Sequence, residues 1–370
     1  MFGLTGGALT NALSQLSGQP GAAAAQSGIG AAGQFMSGLF GTAFGSGGGF
    51  DTGGGATGYA AEPKLPREAA EAYAAVTPRE AGLIFDRRWN VWATGFGGST
   101  TVDGNAAAGS NTTTSSVHGA MAGADYGLSP NTRLGFALGG AGSSFNVDGG
   151  FGGGKADIFN AALYAKHIMG PAYLEGALAY GWQGTTTDRT VTVAGTDRLH
   201  AAFDANSFTG RVEGGWTFAA PVVSMTPYAA LQSTSFFLPG YSETATSGSG
   251  QFALNYAAQT VTTTRGELGL HWDKTVAVTG GRFTWQATTA WAHDWHADSM
   301  ATASASFQSL PGSSAFTTNG AVPAHDLALV TAGGQMAWTN GWSVSGTFLS
   351  EIADTSHSYG GKGTLRYAFN

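Results

Sequence analysis

The chain has 370 residues, of which 60 are glycine, 11% are charged and 12% are aromatic, and its net charge is −7. The aromatic content excludes a disordered low-complexity chain, and the acidic balance leaves no basic patch for nucleic acid. No unbroken apolar run approaches the roughly 18 residues that a helical membrane span needs. Such a composition indicates apolar residues that alternate with polar ones, as in the strands of membrane β-barrels.

The N-terminal segment predicts a helix of small residues from about Pro20 to Phe44. Its larger apolar side chains recur every three or four residues, as on one face of a helix. These pore-helix residues are Ile29, Phe35, Met36, Leu39, Phe40 and Phe44. Glycines such as Gly28 and Gly33 each weaken a helix by roughly 1 kcal/mol relative to Ala, so a flexible Gly/Ala linker is the alternative interpretation.

Residues 45–86 form a predicted linker, because a Gly-rich run is followed by three prolines around a short Ala/Glu segment. The first basic residue is Lys64, so the start of the chain lacks the positive region of a signal peptide. We therefore expect the export signal upstream of residue 1, or a start site other than Met1.

Residues 87–370 are predicted to form twelve strands joined by connections that alternate between short turns and long loops rich in Gly, Ser and Thr. An even number of strands with turns at one end and loops at the other is typical of outer-membrane barrels. The predicted strands are 87–98, 117–128, 133–144, 156–168, 171–182, 204–218, 222–236, 259–273, 282–296, 325–338, 342–353 and 358–369.

The faces of the strands follow from the cost of placing charge in lipid. Along the eighth strand Leu268 and Leu270 alternate with Arg265, Glu267 and His271. An Arg facing mid-bilayer lipid costs roughly 2–4 kcal/mol, and a slip by one residue would expose the whole charged face. The predicted lumen-facing charges are Lys166, Glu175, Arg211, Glu213, Arg265, Glu267, Lys362 and Arg366.

The last strand shows the strictest alternation. Its outward face carries Tyr359, Gly363, Leu365, Tyr367 and Phe369, while Lys362 and Arg366 lie on the other face. Tryptophans near strand ends predict aromatic girdles at the two membrane interfaces; they are Trp182, Trp216, Trp272, Trp291, Trp338 and Trp342. The predicted fold is therefore all-β, a twelve-stranded antiparallel transmembrane β-barrel whose lumen admits the preceding helix and some water.

Two stretches resemble chemical sites. Residues 149–156 nearly spell a phosphate-binding loop, but Ala156 replaces the Ser or Thr that binds the metal, and a strand follows instead of a helix. His293 and His296 have the close spacing of metal ligands, yet on a strand they point to opposite faces. We therefore predict no catalytic residues, metal or cofactor, and a soluble β-sandwich enzyme is the weakest hypothesis.

Several segments in a fixed order resemble the C-terminal translocator of autotransporters, the proteins of type V secretion. The first strand of that family is similar to residues 88–98, RWNVWATGFGG. Its second and third strands are similar to residues 123–126, GADY, and 134–138, LGFAL. Residues 12–18, ALSQLSG, resemble the segment before the family's pore helix, and 359–369, YGGKGTLRYAF, resemble its closing strand.

The resemblance implies an outer-membrane barrel that anchors or exports an N-terminal passenger, with residues 1–44 as passenger remnant and pore helix, 45–86 as linker and 87–370 as translocator. It implies outer-membrane lipid, the barrel assembly machinery and the chain's own passenger as partners, a monomeric barrel, and the N-terminal part at the cell surface. Relatives that cut their passenger use an Asn in the helix; residues 20–44 contain none, which argues against self-cleavage. The alternative is a passive outer-membrane channel or surface adhesin with an N-terminal plug.

Overall fold

The computed structural model describes residues 4–43, 88–220, 222–310 and 315–369. Phe44 and the predicted linker 45–86 lie outside the described residues. The strands, in chain order, are β1 Trp89–Val102, β2 Thr113–Ser129, β3 Thr132–Val147, β4 Gly152–Met169, β5 Ala172–Val191, β6 Asp197–Trp216, β7 Ser224–Leu238, β8 Tyr241–Ser242, β9 Thr244–Ser247, β10 Leu254–Tyr256, β11 Gln259–Val278, β12 Gly281–Asp294, β13 Thr302–Phe307, β14 Phe316–Asn319, β15 Asp326–Trp338, β16 Trp342–Ile352 and β17 Ser356–Phe369.

Twelve of these strands, β1–β7, β11, β12 and β15–β17, close into an antiparallel barrel. Each pairs with its neighbours in sequence order, and β17 closes the cylinder against β1 with Trp89 opposite Phe369 and Val102 opposite Ser356. Closure pairs both edges, so no barrel strand presents an open edge to the lipid. The predicted fold class is confirmed.

The connections define two ends of the barrel, here called the turn end and the loop end. At the turn end, Pro130 and Asn131 join β2 to β3, and Thr279 and Gly280 join β11 to β12. At the opposite end, the connection between β12 and β15 has about thirty residues, whereas the connections after Val147, Val191 and Ile352 have only three to five. The predicted alternation of short turns and long loops is therefore present only in part, because the long connections are those that follow Val102, Leu238 and Asp294.

The strands run further toward the loop end than predicted. The stretch 183–203, interpreted as a loop from its Gly, Ser and Thr content, is mostly strand because β5 continues to Val191 and β6 begins at Asp197. Threonine is frequent there, and its β-branched side chain favours the extended backbone. Composition alone therefore underestimated the height of the barrel wall.

Two helices precede the barrel, α1 from Gly6 to Ser17 and α2 from Pro20 to Ala43. Gly18 joins them with a φ of 72°, a left-handed conformation that glycine adopts without strain. The bounds of α2 agree with the predicted helix, whereas α1 was not predicted. Neither helix in the described ranges is long and apolar enough to cross a membrane.

The longest loops form a separate structure over the loop end, here called the cap and consisting of β8, β10, β13 and β14. These strands make a four-stranded sheet in the order β14-β13-β10-β8, while β9 pairs with β6 and extends the barrel wall. Their core includes Phe236, Leu238, Leu254 and Tyr256, together with residues of α2. The cap was missed because its strands are short and its central pair, β10 with β13, joins residues about fifty positions apart.

Candidate functional site

The lumen contains α2, which packs against one side of the barrel. Phe35, Met36 and Leu39 are almost completely buried. The wall that they contact is made mainly of small side chains on β3, β4 and β5, with Trp92 and Met121 beside them; the small ones are Ala137, Ala162, Ala177 and Ala179. Small side chains leave the width that a helix requires inside a twelve-stranded barrel, so the apolar stripe of α2 fits this wall.

Glycines of α2 lie at its closest contacts with the wall. A Cβ at Gly28 would be 2.4 Å from Cζ of Phe236, and a Cβ at Gly38 would be 2.7 Å from Cε of Met121. The Gln183 side chain also donates a hydrogen bond of 3.2 Å to the Gly28 carbonyl. Glycine at these positions therefore permits an approach that a larger residue would prevent.

The C-terminal turn of α2 is held by the last strand. Lys362 Nζ donates to the Gly38 carbonyl at 3.4 Å, and Arg366 Nη2 donates to the Thr42 carbonyl. The Thr42 carbonyl is one of the last four of α2, which have no partner within the helix, and the C-terminal end of a helix favours nearby cations. The Thr42 hydroxyl is 3.1 Å from that of Thr94, which is 2.8 Å from that of Thr364. Strand β17 therefore both closes the barrel and binds the helix.

Asp125 on β2 forms a buried polar network beneath the helix end. Its side chain is fully buried and lies 3.0 Å from Arg133 and 3.9 Å from Arg366. It accepts hydrogen bonds from Asn90 at 3.0 Å and from the Tyr164 hydroxyl at 3.2 Å. A buried carboxylate persists only when it is paired in this way. The sequence placed Asp125 in a motif of the first strands but did not reveal this pairing.

A cavity of about 1290 Å³ lies on the other side of α2. The helix presents to it a face of small and polar residues, including Gly30, Gly33, Gln34 and Ser37. Seven of the eight predicted lumen charges line this cavity, and the eighth, Arg366, lies under the helix end; the seven are Lys166, Glu175, Arg211, Glu213, Arg265, Glu267 and Lys362. The lumen is therefore divided between an apolar seat and a charged cavity.

The arginines of the cavity are paired within a strand and across the lumen between strands that are not direct neighbours. Arg211 contacts Glu267 with two hydrogen bonds of 2.8 Å and Glu213 with one of 2.9 Å. Arg265 lies 3.0 Å from Glu351, a lumen residue that the sequence interpretation missed. The Arg211 guanidinium also lies 4.9 Å from the centre of the Phe40 ring, within cation–π range. This network borders α2 at one point and otherwise faces the cavity.

Most of the tryptophans and the outward residues of the last strand have exposed side chains on the outside of the barrel. Trp182, Trp216, Trp291, Trp338 and Trp342 are exposed, whereas Trp272 is partly buried and donates a hydrogen bond to Thr289. Tyr359, Gly363 and Leu365 are exposed on the outer face of β17. Tyr367 and Phe369 are partly covered at the turn end. Their roles at the membrane interfaces and in assembly stay predictions.

The two stretches that resemble chemical sites have other structural roles. Gly149 and Gly150 adopt positive φ angles in a short turn that leads into β4. His293 Nδ1 lies 2.9 Å from Asp326 Oδ1, so this ring binds a single carboxylate at the start of β15. Within the described ranges, no group of three or more His, Cys, Asp or Glu residues is arranged to hold a metal ion.

Comparison with known proteins gives a consistent family and fold. The family model described as autotransporter beta-domain matches residues 91–348. The translocator domain of the autotransporter NalP from Neisseria meningitidis is 15% identical, with 82% of this chain and 98% of that chain covered and a TM-score of 0.61. The beta domain of the Bordetella autotransporter BrkA is 20% identical, with coverages of 76% and 100% and a TM-score of 0.56. A comparison with curated protein sequences finds no match.

Proposed function

The chain belongs to the autotransporter β-domain family and is an outer-membrane β-barrel, and from this premise we propose that it anchors an N-terminal passenger and exports it to the cell surface. The observation that carries the proposal is the path of α2. Its N-terminal end lies at the loop end, where Gln19 donates to the Gly109 carbonyl. Its C-terminal end lies deeper in the lumen against Arg366. A passenger that precedes α2 would therefore emerge at the loop end.

The lumen of this chain suits anchoring because α2 has an apolar seat and a charged clamp. Burial of Phe35, Met36 and Leu39 removes their side chains from water, which is worth about 1.5–3 kcal/mol for each. Lys362 and Arg366 supply the cations that the helix C-terminus favours. These contacts support a stable final state in which the chain spans the barrel and the passenger stays attached to it.

A protease site inserted after Ala8 tests the topology. Ala8 is exposed on α1, so we expect added protease to cut it in intact cells. The matched control carries the same site after Gly280 in the two-residue turn between β11 and β12, and we expect no cleavage there. Cleavage of the Gly280 variant with an uncut Ala8 variant would reverse the proposed orientation.

The second candidate function is a passive channel in which α2 acts as a plug. The cavity beside α2 favours it, because about 1290 Å³ lined by paired charges is large enough to hold many waters. Conductance measured in planar bilayers distinguishes a lumen that α2 plugs from an open pore. We expect a small conductance for the full chain and a clear rise for a variant that begins at Arg87. Equal conductances would show that α2 does not restrict the lumen.

We also propose that β17 is the strand recognised by the barrel assembly machinery, and that the closed barrel acts as a monomer. The support is position: β17 forms the closing seam with β1 and carries the outward row from Tyr359 to Phe369. Replacing Phe369 by Asn is expected to slow insertion into the outer membrane, whereas the same change at Phe237, an exposed aromatic outside the seam, is expected to leave the insertion rate unchanged. Equal rates for the Phe369 variant and the wild type would contradict this role.

A further inference from the structure

The cap is built around the turn between α1 and α2. A Cβ at Gly18 would lie 2.5 Å from both Leu254 and Tyr256, and a Cβ at Gly21 would lie 2.3 Å from the Tyr256 ring. The Tyr256 hydroxyl donates a hydrogen bond of 3.0 Å to the Gly18 carbonyl. Glycine in a close contact of this kind permits the cap to touch the helix backbone directly.

The core of the cap is incomplete without α2. Ala22, Ala25 and Ile29 of the helix belong to the same buried cluster as Tyr241 and Tyr256 of the cap. The cap strands are only two to six residues long, and a small sheet of this size needs an apolar partner to be stable. The cap therefore reaches its observed structure only when α2 is seated.

A buried ion pair joins the barrel wall and α1 to Glu243, which directly follows cap strand β8 and whose backbone amide donates to the Leu254 carbonyl of β10. Arg189 of β5 donates from Nε and Nη2 to the two carboxylate oxygens of Glu243 at 2.7 and 2.6 Å. Its Nη1 donates to the Gln15 carbonyl at 2.8 Å, and its Nη2 also donates to the Phe252 carbonyl at 2.7 Å. Glu243 in turn accepts from the Leu254 amide at 2.9 Å. The side chains of both charged residues are almost fully buried.

The chemistry of this pair makes it sensitive to whether the cap is closed. With the cap lifted, water solvates both charges. With the cap closed, each charge loses its water and depends on the other, so removal of one partner leaves a buried charge without compensation. The Gln15 carbonyl belongs to the last turn of α1, where helix carbonyls lack partners within the helix. The pair is therefore fully satisfied only when the cap, the wall and α1 are together.

We propose that Arg189 and Glu243 form a latch that closes the cap over the α1–α2 turn once α2 is seated, and so seals the loop end and holds α1 in place. The latch concerns the closed state of the barrel and goes beyond the proposed export of a passenger. It rests on the contacts of the seated helix, so its test does not depend on whether a passenger is exported.

Thiol labelling tests the latch, because the chain contains no cysteine. Ser14 is buried on α1 and precedes Gln15, whose carbonyl Arg189 binds, and Ser14→Cys exchanges one oxygen for sulfur. The labelling rate with a water-soluble maleimide is measured on the folded full-length barrel in detergent. Glu243→Gln in this background is expected to raise the rate at least tenfold. The control Asp188→Asn removes the neighbouring exposed carboxylate that pairs with His200 and is expected to leave the rate unchanged.

The double variant Arg189→Met with Glu243→Leu, in the same Ser14→Cys background, separates a charge latch from ordinary packing. Because it removes both charges, we expect the introduced thiol to react at least threefold more slowly than in Glu243→Gln. A Glu243→Gln protein that reacts at the parent rate overturns the proposal. So does a double variant that reacts as fast as Glu243→Gln, because the loosening would then owe nothing to an uncompensated charge. A difference in gel migration between unheated and heated samples verifies that each barrel is folded.

Discussion

The seat of α2 is tested most directly by Leu39→Ala. Leu39 has no solvent-exposed surface and lies in one cluster with Phe35, Met36 and the small side chains of the wall. The substitution removes three carbon atoms from the contact between helix and barrel, and it leaves the hydrogen bonds of the helix unchanged. It therefore isolates the apolar part of the interaction that holds α2 in the lumen.

The size of the effect follows from the rigidity of the wall. Truncation of a buried Leu to Ala costs about 2.7–5 kcal/mol, and the cost is larger where the surroundings cannot relax into the space. Strands β3, β4 and β5 pair along almost their full length, so the barrel wall cannot move inward. We expect a loss of about 3 kcal/mol, which corresponds to roughly a hundredfold increase in the unseated population of α2.

Hydrogen exchange followed by mass spectrometry measures this population. Where reclosing is faster than exchange, the ratio of exchange rates equals the ratio of opening equilibria. Peptides of α2 are expected to exchange roughly a hundredfold faster in Leu39→Ala than in the wild type, and peptides of the barrel strands are expected to keep their rates. The control is Leu13→Ala on α1, where the side chain is 52% exposed and the change is expected to be less than about twofold.

Two results would refute this reasoning. An increase of less than about fivefold in the α2 peptides would mean that the apolar seat contributes under about 1 kcal/mol to the position of the helix. Equal acceleration in α2 and in β3 or β4 would mean that the helix and the wall open as one unit. In that case α2 is part of the barrel core and not an element that can leave its seat.

Three further predictions follow from the lumen, the outer face and the loop end. Gly28→Val is expected to prevent close seating of α2 and to raise single-channel conductance, whereas Gly30→Val points into open space and is expected to leave conductance unchanged. Leu268→Arg on the lipid face is expected to lower the free energy of unfolding in vesicles by about 2–4 kcal/mol. Thr331→Arg in the cavity wall is expected to lower it by less than about 1 kcal/mol. Unfolding in urea measures both, and similar unfolding curves for the two variants would contradict the face assignment. His325 has a raised pKa because its ring hydrogen-bonds a backbone carbonyl at the loop end. Its contribution to the stability of the fold is therefore complete below the unfolded pKa of about 6.5 and is lost as the pH rises through the folded value. An NMR titration of the ring that gives a pKa below about 6.5 would contradict this.

Much of the barrel was predictable because the bilayer penalises errors of one residue. Moving Arg211 or Arg265 to the outer face would place a charge in lipid, and every neighbour would change face with it. The period of two along each strand therefore determined both the fold class and which charges face inward. The same logic predicted the outward row on β17, because Lys362 and Arg366 alternate with Leu365 and Tyr367.

The loop end was not predictable because its contacts are distant in sequence and no membrane constrains their pattern. Arg189 and Glu243 are separated by 54 residues. Arg189 continues the inward face of β5 beyond residue 182, where the predicted strand ended, and Glu243 lies between the short strands β8 and β9, which were not predicted. Helix α1 was missed because half of its residues are weak helix formers, namely two Gly, two Ser, one Thr and one Asn. Its stability depends on partners such as Arg189, which binds the Gln15 carbonyl.

The glycines of α2 show why a helix that is weak on sequence grounds is stable inside the barrel. In an isolated peptide, Gly28 and Gly38 would weaken the helix, and for this reason a flexible linker was an alternative interpretation of the sequence. Inside the barrel the same residues make room for Phe236 and Met121, and burial of the apolar stripe supplies the free energy that intrinsic propensity lacks. A helix that is weak in water and stable only in its seat can pass through the lumen as an unfolded chain and form where it is needed. The low helix propensity of this segment is therefore consistent with export through the barrel, and a version with Ala at both positions would be more helical in water but would no longer fit the wall.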